Sequence, residues 1–183
     1  EKTVRANADY MAKHLKKYGW EYIVVDIQWY QPSAASHMYE PFADLVMDEY
    51  SRLLPAENRF PSAKDGKGFA PLAEYVHSLG LKFGIHIMRG IPRQAAFKNT
   101  KILDSEYSAR QVAQFNNICM WNPDMYGTDA KHPGAADYYN SLFKLYAEWG
   151  VDFVKVDDIC RNWNNEGEIT LIRNAIDNCG RDM

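Results

Sequence analysis

The 183-residue sequence is poor in the features that would commit it to a membrane, to nucleic acid or to a disulfide scaffold. Its longest apolar stretches are interrupted within a few residues, well short of the roughly 20 that a bilayer span requires. Its 21 basic and 24 acidic residues are intermingled, with no basic stripe and a net charge of −3, which argues against nucleic acid or an anionic membrane as partner. No signal peptide opens the chain. Only three cysteines occur, none in a Cys-x-x-Cys pair, and no His-x-His is present, so no metal or other cofactor is indicated. Cys119 and Cys160 both fall near predicted strand ends, and both a disulfide across that rim and free buried thiols fit. What is present is a composition 46% hydrophobic and 14% aromatic, enough for one sizeable core and without a disorder signature.

The most informative stretch is Trp149-Gly150-Val151-Asp152-Phe153-Val154-Lys155-Val156-Asp157-Asp158, an apolar run ending in two adjacent carboxylates. It predicts a buried β-strand that delivers charge at its C-terminal end. Side chains alternate along a strand, so Lys155 and Asp157 share a face with Cα atoms roughly 6.5–7 Å apart. Phe153, Val154 and Val156 supply burial. The pair suits an anionic nucleophile or a cation ligand, with an ion pair that merely closes the strand as the alternative.

The pattern recurs. Lys16–Trp20 leads into Glu21–Trp29, and Glu74–Leu81 leads into Lys82–Met88. Each unit reads as an amphipathic helix, a glycine stop at Gly19, Gly80 or Gly150, a short strand, and a polar residue at the strand's end. Strands alternating with helices predict an α/β fold with a parallel sheet, whose site lies at the C-terminal strand ends. Asp26, His86, Lys155 and Asp157 are therefore expected on one face. In order, the chain reads as a helix over about 2–18, a strand to Trp29, a long loop to about residue 65, a helix over 69–78, and a strand ending at His86. A second long loop runs to about Pro133, followed by a helix to Trp149, the key strand and a last helix around 169–176. With about three strands and four helices, residues 1–183 read as one partial (β/α)8 TIM barrel that starts in its first helix and ends after its fourth. Trp29, Tyr30, Trp121, Tyr126 and Trp163 sit at or beyond strand ends among polar residues. Such aromatics suit the apolar faces and hydroxyl belt of a sugar ring, or else pack as core beneath long loops.

Three linked motifs, Gly19–Trp29, Leu79–His86 and Trp149–Asp157, resemble glycoside hydrolase family 27, the family of α-galactosidases. The resemblance implies a retaining double-displacement glycosidase acting on terminal α-linked sugars of an oligosaccharide or glycoside, most readily α-galactosides. It implies Asp157 as nucleophile, with Lys155 and Asp26 binding sugar hydroxyls. Trp29, His86, Arg89, Trp121 and Asp158 join these as candidate substrate-binding residues. It also implies a secreted or periplasmic protein, and an acid/base residue beyond Met183, so that residues 1–183 alone would be inactive. A metal-dependent barrel hydrolase would instead use Asp26, His86, Asp157 and Asp158 as ligands, although Lys155 would repel the cation. A barrel that binds sugar without catalysis is a further alternative.

Three positions depart from the family pattern. Ile27 stands where a second acidic residue is usual, His86 where an aromatic is common, and Asp158 where a small residue is usual. These changes leave the retaining chemistry intact but bear on the sugar, so α-glucosides, isomalto-oligosaccharides and β-L-arabinopyranosides are alternatives to α-galactosides. Recognition is expected to shift to His86 and the Arg89 loop, with Asp124 as another candidate.

Overall fold

The computed structural model describes residues 1–35, 38–160 and 165–183. The first helix, α1 (Lys2–Tyr10), widens into a π turn (Met11–Leu15) and then tightens into a 3-10 turn that ends at Tyr18. It is followed by β1 (Tyr22–Val25), α2 (Ala70–Ser78) and β2 (Lys82–Met88). Next come β3 (Ile91–Pro92), α3 (Arg93–Lys98), α4 (Ala109–Val112), β4 (Ala113–Ile118) and β5 (Met125–Thr128). The chain continues with α5 (Pro133–Glu148), β6 (Phe153–Asp157) and α6 (Glu166–Asn178).

Strands β1, β2 and β6 form one parallel sheet with β2 in the middle. Gly19, Gly80 and Gly150 all have positive φ, as expected for glycines that end a helix before a strand. On one face of the sheet Ile23, Val25, Phe83, Ile85 and Ile87 are buried in a core shared with Leu72, Val76, Phe143 and Tyr146 of the helices. The other face carries Tyr22, Val24 and Phe153, all exposed. Phe153 therefore does not supply burial within this chain, because it lies on the face that carries the charged residues.

Two strand ends differ from the sequence reading. β1 stops at Val25 rather than Trp29, since Asp26 turns the chain by accepting the Ile27 N–H at 2.9 Å. β2 runs past His86 to Met88, because two further residues keep pairing with β6 up to Asp157.

Neither long connection is structureless. The first folds against the core: the Val46 and Ala56 N–H groups bond to the carbonyls of Tyr30 and Trp29, and Leu45, Leu53 and Phe60 are buried. The second contains an antiparallel sheet in the order β3-β5-β4. Gly68, at φ +54°, passes so close to the Trp149 indole that a Cβ would lie 2.1 Å from Nε1. That contact locks the entry to α2 onto a cluster in which Trp29, Phe69 and Trp149 meet edge to face.

Candidate active site

Parallel register aligns the charged residues. Val25 pairs with Ile85, so Asp26 falls level with His86, which itself pairs with Lys155. Asp157 lies two residues beyond Lys155 on the same face. Lys155 Nζ is 3.3 Å from both carboxylate oxygens of Asp26 and 3.9 Å from Asp157 Oδ2. His86 Nε2 is 3.2 Å from Asp157 Oδ2 and 3.9 Å from Asp26 Oδ1. The expected convergence of these four residues is what the structure contains.

Their electrostatics follow from position. Burial pushes the Asp26 carboxyl up, but the Ile27 N–H and the Lys155 ammonium outweigh it and hold the group below its ordinary value. Burial lowers the fully enclosed His86, offset only in part by Asp157 and Asp26, so its imidazole is neutral near neutral pH. With Nε2 facing two carboxylates, the neutral ring donates there.

The remaining candidates lie elsewhere. Trp29 is 0% exposed, packed in the aromatic cluster with its indole N–H on the His86 carbonyl at 2.7 Å, and offers no platform for a sugar. Tyr30 is also buried and reaches Asp124. Trp121 is half-buried beside Tyr39, and Tyr126 stacks on the Arg93 guanidinium. Trp163 lies outside the described residues. Arg89 is buried and ion-paired to Asp158 and Glu168, so it is not free to meet a sugar. Asp158 turns the opposite way from Asp157 for the same reason, and this also breaks up the four-ligand metal set. Asp124 is buried too, accepting from Gln28 Nε2 at 2.5 Å, and burial raises its carboxyl above the ordinary value.

Cys119, Cys160 and Cys179 are free thiols, and burial pushes that of Cys119 up. The polar network around Arg89, with Glu168, Asn117, Thr128 and Tyr139, was not anticipated. Its only sequence signal is an acidic residue in the first turn of α6.

No family model matches the chain. Among solved structures, a GH27 β-L-arabinopyranosidase from Geobacillus stearothermophilus is 65% identical with a TM-score of 0.95, covering 97% of this chain and 42% of that one. A Bacillus halodurans C-125 protein provisionally assigned as an α-N-acetylgalactosaminidase is 62% identical with a TM-score of 0.94, covering 100% and 43%. Among curated proteins, the α-galactosidase of Coffea arabica is 28% identical over 100% of this chain and 35% of its own length. The chain thus spans about a third of the curated relatives' length and under half of these solved chains. Sequence, sheet topology and structural likeness agree that the chain has the fold of part of a (β/α)8 barrel and is similar over its whole length to members of glycoside hydrolase family 27.

Proposed function

We propose that the full-length protein hydrolyses terminal galacto-configured pyranosides with retention, using Asp157 as nucleophile. The observation that carries this is a strand-end carboxylate with a neutral imidazole at 3.2 Å and an ammonium at 3.9 Å. Asp157 would attack the anomeric carbon through an oxocarbenium-like transition state, and water would then release the sugar from the covalent intermediate. Lys155 and Asp26, paired and partly exposed, would hold ring hydroxyls, and His86 would orient the Asp157 carboxylate.

A retaining enzyme needs a second carboxyl group roughly 5–5.5 Å from the first to protonate the leaving oxygen. Asp26 is a poor donor because its partners hold it ionised. Asp158 is committed to Arg89. Neither suits the role, and the family resemblance implies an acid/base outside residues 1–183.

Both an α-D-galactoside and a β-L-arabinopyranoside fit this scheme, since the second is the first without its exocyclic hydroxymethyl group. The 65% identity to a protein described as a β-L-arabinopyranosidase favours the pentose. Ile27, partly buried against the core beside Asp26, favours it as well. An isoleucine cannot accept a hydrogen bond, and a sugar hydroxyl left unpaired in a closed site costs about 1–3 kcal/mol. A sugar with one hydroxyl fewer avoids that cost.

A panel of nitrophenyl glycosides on the full-length enzyme decides between them, with kcat/KM expected to be highest on the β-L-arabinopyranoside. Asp157→Ala is expected to cut turnover by orders of magnitude, with partial rescue by azide. Cleavage of neither glycoside, or full activity of Asp157→Ala, removes this reading.

A further inference from the structure

The residue that follows Asp157 has an unusual backbone. Asp158 sits at φ +61°, in the left-handed region that Asp and Asn enter more readily than other L-residues. Its N–H donates to Asp157 Oδ1 at 2.7 Å. Its side chain turns inward, 6% exposed, to Arg89 Nη2 at 3.0 Å. The Arg89 backbone N–H in turn donates to the Asp157 carbonyl at 3.2 Å.

Arg89 is itself held from three directions. Its guanidinium reaches Glu168 Oε2 of α6 at 3.3 Å and donates to Asn117 Oδ1 of β4 at 2.8 Å. Glu168 Oε1 accepts from the Thr128 backbone N–H, the Thr128 hydroxyl and the Tyr139 hydroxyl at 2.7–2.9 Å. Tyr139 receives the Gly90 N–H at 3.0 Å. The second connection, α5 and α6 therefore all converge on one peptide. Buried ions of this kind contribute little net stability, and their best-attested use is to select one conformation.

We propose that Asp158 is a positioning residue. The Arg89 N–H holds the carbonyl of the Asp157–Asp158 peptide and the Arg89 guanidinium holds the Asp158 side chain beyond it, and together they fix the peptide plane whose N–H meets the Asp157 carboxylate. Oδ1 is then set by this N–H and Oδ2 by His86, which orients the carboxylate plane toward the anomeric carbon before substrate arrives. Without the side-chain grip the peptide is held at its carbonyl alone, and its N–H tilts off the carboxylate. This rests on Asp157 being the nucleophile.

The test is made in the full-length enzyme. Asp158→Asn keeps an acceptor for Arg89 and tolerates the left-handed region, so its kcat is expected within roughly threefold of wild type. Asp158→Gly keeps the backbone region but loses the grip, and its kcat is expected to fall roughly 10- to 100-fold with KM within about twofold, as for a misplaced reacting group. Because a loss of folded enzyme also lowers apparent kcat at unchanged KM, kcat is referred to the folded fraction of each variant, measured by circular dichroism and size-exclusion chromatography. If Asp158→Gly does not fold, Asp158→Ser, whose side chain is too short to span to Arg89, is read in its place. Wild-type kcat in the glycine variant, or equal losses in Asn and Gly, overturns the proposal. Asp157→Ala run alongside separates the two failures: an active Asp157→Ala removes the nucleophile assignment, and an inactive one beside a fully active Asp158→Gly removes only the positioning role.

Discussion

At the scale of single residues, the site is an exercise in one charge setting another. Lys155 is one of the groups that pull Asp26 below its ordinary value of about 3.9. Lys155→Met keeps the stem and deletes the charge, so the Asp26 carboxyl is expected to titrate higher. Carbon-13 NMR of the side-chain carboxyl measures this directly, and an unmoved titration would dissociate the pair. The sign for stability follows. A depressed carboxylate contributes stability that is present above about pH 4 and is lost as pH falls through the folded value, so Lys155→Met flattens that acid limb. His86 acts in a higher window. Its lowered value means that the unfolded chain binds the proton more readily, so stability is full above about pH 6.5 and falls as pH drops. His86→Phe is expected to reduce the slope of unfolding free energy between about pH 5 and 7, read from denaturant titrations. These four residues were legible in the sequence because strand alternation and parallel register fix both face and level. Arg89 and Asp158 were not, since a charged residue after a strand carries no mark of whether the chain turns it outward or in.

At the scale of elements, the start of β6 is tied down by one carboxylate. Asp152 accepts the Phe83 N–H at 2.8 Å, His77 Nε2 at 2.6 Å and Arg181 at 2.5 Å, joining β2, α2 and the C-terminal segment. Burial pushes it up, but these partners outweigh burial and hold it below the ordinary range. Asp152→Ala leaves a strand N–H without its partner and is expected to cost about 2–4 kcal/mol of stability, measured by chemical denaturation. Gly68→Ala tests the packing on Trp149, at the end of α5. A methyl group there meets the Trp149 indole at a positive φ, and a loss of about 2–3 kcal/mol is expected. The three barrel strands and their helices were readable from apolar runs bounded by glycine. The β3-β5-β4 sheet was not: β3 has two residues, and Ala113-Gln114-Phe115-Asn116-Asn117-Ile118 is too polar and too exposed to show an apolar period. Trp29 was misplaced because β1 ends four residues before it, and the turn at Asp26 carries the indole into the core.

At the scale of the whole molecule, the sheet has β1 and β6 as its outer strands, each paired on one side only among the described residues. The face that carries the site also shows Tyr22, Val24 and Phe153 to solvent, and a groove of about 520 Å³ opens between α1 and β1. Unpaired strands with apolar neighbours invite association. Residues 1–183 expressed alone are therefore expected to bind a hydrophobic dye, to self-associate on size-exclusion chromatography and to cleave no aryl glycoside. A monodisperse, dye-negative and active segment would contradict all three. The central strand β2 holds this arrangement together, and Trp29 is its gauge. Its indole N–H is bonded to the His86 carbonyl beneath the site and sealed from water, so that proton can exchange with deuterium only when the strand lifts off the core. One slowly exchanging indole resonance thus clocks the opening of the barrel wall from inside, without a label.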